Sequence, residues 1–327
     1  MNEIKLLFAE PSFTHDNLND YAEFKNRAEN IILLKNPYGR RLSASEITDL
    51  ARDCTGIVAG LEPYTKEVLN ELINLRCISR VGVGIDNIDI NIANEKGIAI
   101  LNTPDAPTRA VSEMAIGLAF CLLRGITRVD HQVKSGIWKK YTGYLMHNKI
   151  IGIIGAGRIG KKTAALIQSL GAQVIVHDIN PDNHWLLENN FSNYSLDEVL
   201  SQSDIVILHL AFAPDKKPII NADTIALMKE GSYLINLSRG NAVDDSALYE
   251  ALVSGKLAGA ALDVFRDEPY FGNLCKLENV ILTPHIGSQT FETRYEMKHQ
   301  AVTNLMNFLL NYDKQMSDET RQKIKSR

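Results

Sequence analysis

Residues 149–170 read KIIGIIGAGRIGKKTAALIQSL, an apolar run that passes directly into G-A-G-R-I-G and then into a helix-forming stretch. Few folds accommodate that order. A buried strand whose glycine turn opens a helix is the phosphate-binding corner of a βαβ unit. Gly155 permits the tight turn, Gly157 lets the backbone approach a pyrophosphate, and Gly160 lets the helix lie close to the strand. The free N–H groups and the dipole at the helix N-terminus favour phosphate oxygens. Asp178 ends the next apolar run, eighteen residues beyond Gly160, where a carboxylate accepts ribose hydroxyls. Ile179, Asn180 and Pro181 bring no cation to a 2′-phosphate, so the expected cofactor is NAD rather than NADP.

The rest of the chain keeps the same rhythm. IKLLF (4–8), NIILL (30–34), GIVAG (56–60), CISRV (77–81) and GIAIL (97–101) read as strands. Their apolar runs are too continuous for a half-exposed sheet and suit a parallel one covered on both faces. One helix is expected from Ser43, whose S-x-x-E spacing with Glu46 makes a capping box, and another after Glu62-Pro63. A long helix from Pro107 to Leu123, closed by Gly125, reads as a buried connector. After the glycine motif come VIVHD (174–178), DIVILHL (204–210), SYLINLS (232–238), GAALDVF (259–265) and VILTP (280–284), with helical stretches between most of them. A final helix is expected from Thr290 to Leu310, followed by a frayed polar end.

At ~150 residues per domain, 327 residues imply two domains. The expectation is an α/β protein of two Rossmann-like, doubly wound parallel sheets. Thirty-five basic against thirty-nine acidic residues leave no basic footprint for nucleic acid. No apolar run approaches the ~18 residues of a membrane span, and the N-terminus lacks the pattern of a signal peptide. Cys54, Cys77, Cys121 and Cys275 are scattered, so neither a disulfide frame nor a metal site is expected, and the setting is a reducing cytoplasm.

Three charged residues fall at or just beyond the carboxyl ends of the later strands: Arg239 after YLINLS, Glu268 after ALDVF, and His285 after VILTP. Ligands of open α/β sheets bind at that edge. Each residue also has an ordinary reading, as a turn cap, a solvated loop acid or a hydrogen-bonded polar group. Their joint placement beside a nicotinamide cofactor favours chemistry. Hydride transfer to a 2-oxo acid creates alkoxide character that needs a proton, which an imidazole delivers and recovers. A carboxylate fixes the ring, and an Arg holds the substrate carboxylate and polarises the carbonyl.

VGVGIDNIDI (81–90), NTPDAPTRAVSE (102–113), GIIGAGRIG (152–160), INLSRGNAVDD (235–245), ALDVFRDEP (261–269) and TPHIGS (283–288) stand in one order along residues 50–310. In these the chain resembles the D-isomer-specific 2-hydroxyacid dehydrogenases, particularly their phosphoglycerate dehydrogenase-like branch. The resemblance implies Arg239, Glu268 and His285 as the catalytic set. It implies Asp263 for the nicotinamide carboxamide, Arg158 and Ile159 beside the pyrophosphate, and Leu237 and Ser238 along the nicotinamide. Leu210 and Gly287 complete the implied cofactor contacts. Val83 and Gly84 would hold the substrate carboxylate, with Arg80 and Arg239 as further substrate contacts.

The same resemblance implies a discontinuous substrate domain, 1–102 with a returning segment 285–327, around an NAD domain at 103–284. It also implies a homodimer formed through the NAD domain, at the 107–125 helix and the arm after it. Two departures stand out. Ala211 occupies a position near the adenine where the family commonly has Pro. Ala59 stands where phosphoglycerate dehydrogenases place a phosphate-binding Arg, with an acid, Glu62, nearby, while Arg80 matches a basic position of those enzymes. The expected reaction is interconversion of a small unphosphorylated D-2-hydroxy acid and its 2-oxo acid. The alternatives are D-3-phosphoglycerate dehydrogenase proper and a non-enzymatic NAD-sensing corepressor.

Overall fold

The computed structural model describes residues 4–13, 31–211 and 216–325, the last stretch from 312 as backbone alone. The chain divides into two compact units, Met1–Pro107 with Phe291–Arg327, and Thr108–Thr290. These divisions fall a few residues beyond 102/103 and 284/285 for a local reason. The Thr103 N–H still bonds the Gly82 carbonyl of the first unit at 3.0 Å, and the Ile286 and Gly287 N–H groups bond Asp263 of the second at 2.8 Å each. His285 therefore sits with the second unit.

In the first unit, β1 (Ile4–Phe8), β2 (Ile31–Lys35), β3 (Gly56–Ala59), β4 (Cys77–Arg80) and β5 (Ala99–Leu101) form a parallel sheet in the order β2-β1-β3-β4-β5. Asn30, expected to open the second strand, lies outside the described residues. Helix α1 (Ala44–Ala51) starts at the expected box: the Glu46 N–H bonds Ser43 Oγ, and the Ser43 N–H bonds Glu46 Oε2. Helices α2 (Lys66–Glu71) and α3 (Ile90–Glu95) complete one face. There Ile47, Ile57, Leu69, Leu72 and Ile78 pack together. The other face is covered by the returning helix, in which Met297, Leu305 and Leu309 meet Leu6, Phe8 and Val58. Ser79 Oγ donates to the Ala301 carbonyl at 2.7 Å, anchoring that helix on β4.

The second unit opens with α4 (Thr108–Arg124) and α5 (Ile126–Lys134), bent by 62° at Gly125, whose φ is +58°. Helix α5 is an addition to the sequence reading. It buries none of its residues, so it carries no core signature to find. Strands β6 (Ile150–Ile154), β7 (Gln173–His177), β8 (Ile205–Leu208), β9 (Ser232–Asn236), β10 (Leu257–Leu262) and β11 (Val280–Leu282) follow. They form a parallel sheet in the order β11-β10-β9-β8-β6-β7. A single parallel bridge, Val176 to Asn193, extends it beyond β7. With that bridge as a vestigial third strand, the order is that of a dinucleotide-binding sheet, whose switch point lies between β6 and β8.

Helix α6 (Arg158–Ser169) packs one side, burying Thr163, Ala164 and Ile167, and α4 lies along it. Helices α7 (Asn183–Glu188), α8 (Leu196–Gln202), α9 (Ala222–Leu227) and α10 (Asp245–Val253) complete the layers. The last helix, α11, runs Phe291–Lys325 and so passes the expected end at Leu310. Among the described residues no single helix is long and apolar enough to cross a membrane.

Candidate active site

The glycine turn leaves β6 at the switch point. Gly155 has φ +97°, and a Cβ there would lie 2.7 Å from the His209 carbonyl carbon. A Cβ on Gly160 would strike the Gly155 carbonyl oxygen. Gly157, by contrast, faces open space and is the N-cap of α6 without a side-chain cap. Gly157 thus brings no side chain of its own over the first turn of α6, which suits an incoming pyrophosphate. Arg158 is exposed at this turn, and Ile159 is half-buried beside it.

Asp178 is half-buried beyond β7. Its Oδ2 accepts the Ala156 N–H at 2.6 Å and its Oδ1 accepts the Asn180 N–H at 2.8 Å. The carboxylate ties the glycine turn to β7 and keeps lone pairs for a ribose. Leu210 is half-buried at the end of β8 and Ala211 exposed next to it, on the same carboxyl edge. Glycine turn, open helix end and acid fit a dinucleotide.

Further along that edge the sheet brings the three charged residues together. His285 has φ +54°, a left-handed conformation that costs a residue with a side chain about 1–2 kcal/mol. Buried Asp263, at the end of β10, holds it there. Asp263 Oδ1 accepts the Thr283 hydroxyl at 2.6 Å and the Ile286 N–H at 2.8 Å, while Oδ2 accepts the Gly287 N–H at 2.8 Å. At Gly287 a Cβ would press on that carboxylate at 3.0 Å, so a larger residue would require it to shift.

The imidazole Nδ1 meets Glu268 Oε2 at 3.0 Å, and Glu268 Oε1 accepts the Phe265 N–H at 3.1 Å. Burial works to raise the Glu268 pKa. The bonds from His285 and the Phe265 N–H, with the charges of His285 and Arg239, outweigh it and hold the carboxyl below its ordinary value. Arg239 follows β9 in a turn organised by fully buried Asn236. Its Oδ1 accepts the Ser238 N–H at 3.0 Å and the Ser238 hydroxyl at 2.7 Å, and its Nδ2 donates to the Arg239 carbonyl at 2.9 Å. Leu237 and Ser238 are buried in this turn. Asn236 escaped the sequence reading. An Asn ending a strand just before a polar turn is the available signal, because its side chain can bond the backbone two residues on.

In the first unit, Val83 and Gly84 form the loop after β4. The Gly82 N–H bonds Thr103 Oγ1 at 2.8 Å and Asn102 Nδ2 bonds the Val83 carbonyl at 2.8 Å. Among the described residues, the Val83 and Gly84 N–H groups have no acceptor. Arg80 is half-buried, and its Nη1 donates to the Val81 carbonyl at 2.7 Å while the guanidinium packs against Gly82. Glu62 corrects the sequence reading, in which it stood as an acid near an incoming phosphate. It is fully buried with Oε2 on the Gly60 N–H at 2.7 Å, and burial, the largest influence, raises its pKa. The exposed side chain beyond β3 is Leu61.

A sequence model described as "D-isomer specific 2-hydroxyacid dehydrogenase, NAD binding domain" matches residues 116–287, over half of the chain. The chain belongs to that family. It is 36% identical over 280 residues to a glyoxylate reductase of Pyrococcus furiosus, covering 82% of this chain and 83% of that one. It is 37% identical over 263 residues to a D-3-phosphoglycerate dehydrogenase of Pongo abelii, covering 78% of this chain and 49% of that protein. It superposes with a TM-score of 0.81 and 26% identity on a D-lactate dehydrogenase of Aquifex aeolicus complexed with NAD and lactic acid, over 96% of this chain and 98% of that one. The dehydrogenase is thus an NAD-dependent oxidoreductase that interconverts 2-hydroxy and 2-oxo acids.

Proposed function

We propose that the dehydrogenase acts on a short, unphosphorylated D-2-hydroxy acid or its 2-oxo acid, of the size of glyoxylate or hydroxypyruvate, with Arg239, Glu268 and His285 as the reacting set. The bound nicotinamide supplies or takes the hydride. His285, with Nδ1 on Glu268, keeps Nε2 for the substrate oxygen, giving it a proton on reduction and recovering it on oxidation. The Glu268 carboxylate orients the ring and stabilises the imidazolium. Arg239 binds the substrate carboxylate and polarises the carbonyl. In the first unit, the open Val83 and Gly84 N–H groups are donors suited to a carboxylate. Asp178 and the bare N-terminus of α6 take the ribose and pyrophosphate. Asp263 keeps one acceptor site for the carboxamide.

The observation that carries the substrate reading is the residue set beyond β3 and β4: Leu61 exposed, Glu62 turned inward, Arg80 bracing its own loop. Neither Leu61 nor Glu62 offers a phosphate a cation, and Arg80 directs Nη1 to the Val81 carbonyl. The test is NADH oxidation with hydroxypyruvate beside 3-phosphohydroxypyruvate. Preference for the unphosphorylated acid is expected. A strong preference for the phosphorylated one restores phosphoglycerate dehydrogenase, and no turnover of any 2-oxo acid restores an NAD-sensing role.

The protein acts as a homodimer in a reducing cytoplasm. Its four cysteines are free thiols. Between residues 126 and 145 the second unit exposes Ile126, Val133, Ile137, Tyr144, Leu145 (71%) and Trp138 (86%), apolar side chains of the kind a subunit interface covers. Light scattering on Trp138→Glu/Leu145→Glu should give a monomer where the parent gives a dimer.

A further inference from the structure

We propose that Tyr270 is a positioning residue for Glu268, closing the loop that carries it; this rests on the reading of Glu268 and His285 as the proton-handling pair. Residues 266–269 are all exposed, and without a brace this tip would sample many conformations. The brace spans its base. The rings of Phe265 and Tyr270 stack with centroids 4.5 Å apart and planes at 19°. The stack joins the two residues that flank the tip, and the Phe265 N–H is the donor that Glu268 Oε1 accepts.

The phenol has neighbours of its own: the Asp245 carboxylate acts to raise its pKa and the Leu274 backbone to lower it. Burial, with Asp245 as its next influence, pushes the Tyr270 pKa up to about 12, so the phenol stays a donor. Asp245 is the first residue of α10, and burial raises its pKa. Gly272 leaves the space the phenol oxygen occupies, since a Cβ there would strike it. Gly240, just after Arg239, lies against the Phe265–Arg266 backbone with no room for a Cβ. The base of the Glu268 loop is therefore closed by the Phe265–Tyr270 stack and rests on the Arg239 turn. Released, the loop would leave the imidazole without a fixed carboxylate.

The test is a double-mutant cycle on the full-length enzyme with NADH and its best 2-oxo acid. Tyr270→Phe keeps the stack and removes the phenol oxygen, and kcat should fall about threefold; Tyr270→Ala loses both, for about tenfold to thirtyfold. NADH affinity should hold, and the pH–rate profile of Tyr270→Ala should move toward that of Glu268→Gln. In the Glu268→Gln background, Tyr270→Ala should cost almost nothing further, because both act through one carboxylate. Full additivity, with an unmoved pH profile, would show a merely structural tyrosine and overturn the proposal. If Glu268→Gln alone leaves rate and pH profile unchanged, the reading of the site fails and the proposal with it. Tyr270→Phe decides the matter should the Ala variant not fold: a rate and pH profile equal to the parent's overturn the role of the phenol.

Discussion

The carboxyl edges of the two sheets are finished in opposite ways. In the β6–β11 sheet, Asp263 accepts three hydrogen bonds, Asn236 makes three, and Glu268 bonds both His285 and its own loop. These bonds hold His285 in a left-handed conformation it would not choose alone. In the β1–β5 sheet the same edge has bonds too, Gly60 N–H to Glu62, Arg80 to the Val81 carbonyl and Gly82 N–H to Thr103, but they fasten the local backbone and leave two open N–H groups and an exposed leucine. One edge is rigid and polar, as a group that must meet a reacting atom requires. The other is sparsely furnished, as a surface that sorts substrates by size and charge can be. The contrast suits the proposed reading, in which the second unit carries the chemistry and the first sorts substrates.

The sharpest way to break that assignment is His285→Ala. Loss of the acid–base group should lower kcat by about 10²–10⁴-fold while NADH affinity, measured by fluorescence titration, changes little. Near-normal turnover would place the proton donor elsewhere.

Next in size is cofactor choice, which belongs to the same edge. Asp178 should repel a 2′-phosphate by ~1–3 kcal/mol, giving roughly ten- to hundredfold higher kcat/KM with NADH than with NADPH. Equal values would remove Asp178 from the ribose site. Because Asp178 also holds the Ala156 N–H, Asp178→Ala should weaken NADH binding as well as narrow the preference.

A smaller effect probes the other edge. Leu61→Arg places a cation beside the open loop and should raise the kcat/KM ratio of 3-phosphohydroxypyruvate to hydroxypyruvate by about three- to tenfold. A charge-assisted bond at an exposed position realises only part of its ~1.5–3 kcal/mol. An unchanged ratio would mean that selection does not occur beyond β3.

The two edges also differ in how far the sequence discloses them. IVIL is buried throughout and IIGII everywhere but at Ile150, so their apolar runs announce a parallel sheet. Ser43 with Glu46 and Gly155 with Gly160 mark local geometry that only certain residues permit, and the structure shows that geometry. Arg239, Glu268 and His285 were legible because strand ends on one edge converge whatever their separation in sequence. Asp263 was legible as an acid of the site, but its three bonds were not, since they depend on how the His285 loop folds back. Glu62 was misread for the same reason: a carboxyl beyond a strand can face water or turn onto its own backbone. Sequence alone does not register the Gly60 N–H that draws it inward. Helix α5 left no trace because its residues bury nothing.

The smallest expected effect concerns the link between the catalytic edge and stability. The folded protein holds the Glu268 carboxyl below its ordinary value of 4.5, so the unfolded chain binds that proton more readily. The resulting stabilisation is fully present above about pH 4.5 and is lost as pH falls through the lower, folded value. Glu268→Gln cannot gain or lose it. Its deficit in Tm against the parent should therefore be steady near neutrality and shrink once the pH drops below about 4.5. The Glu268 side chain is 38% exposed, so solvent and salt screen the pair and the deficit should amount to about a few degrees at most. A deficit that stays constant down to about pH 3 would mean that the bonds to His285 and the Phe265 N–H orient the carboxylate without favouring its charged form. The rigidity of this edge would then come from Asp263 and Asn236 alone.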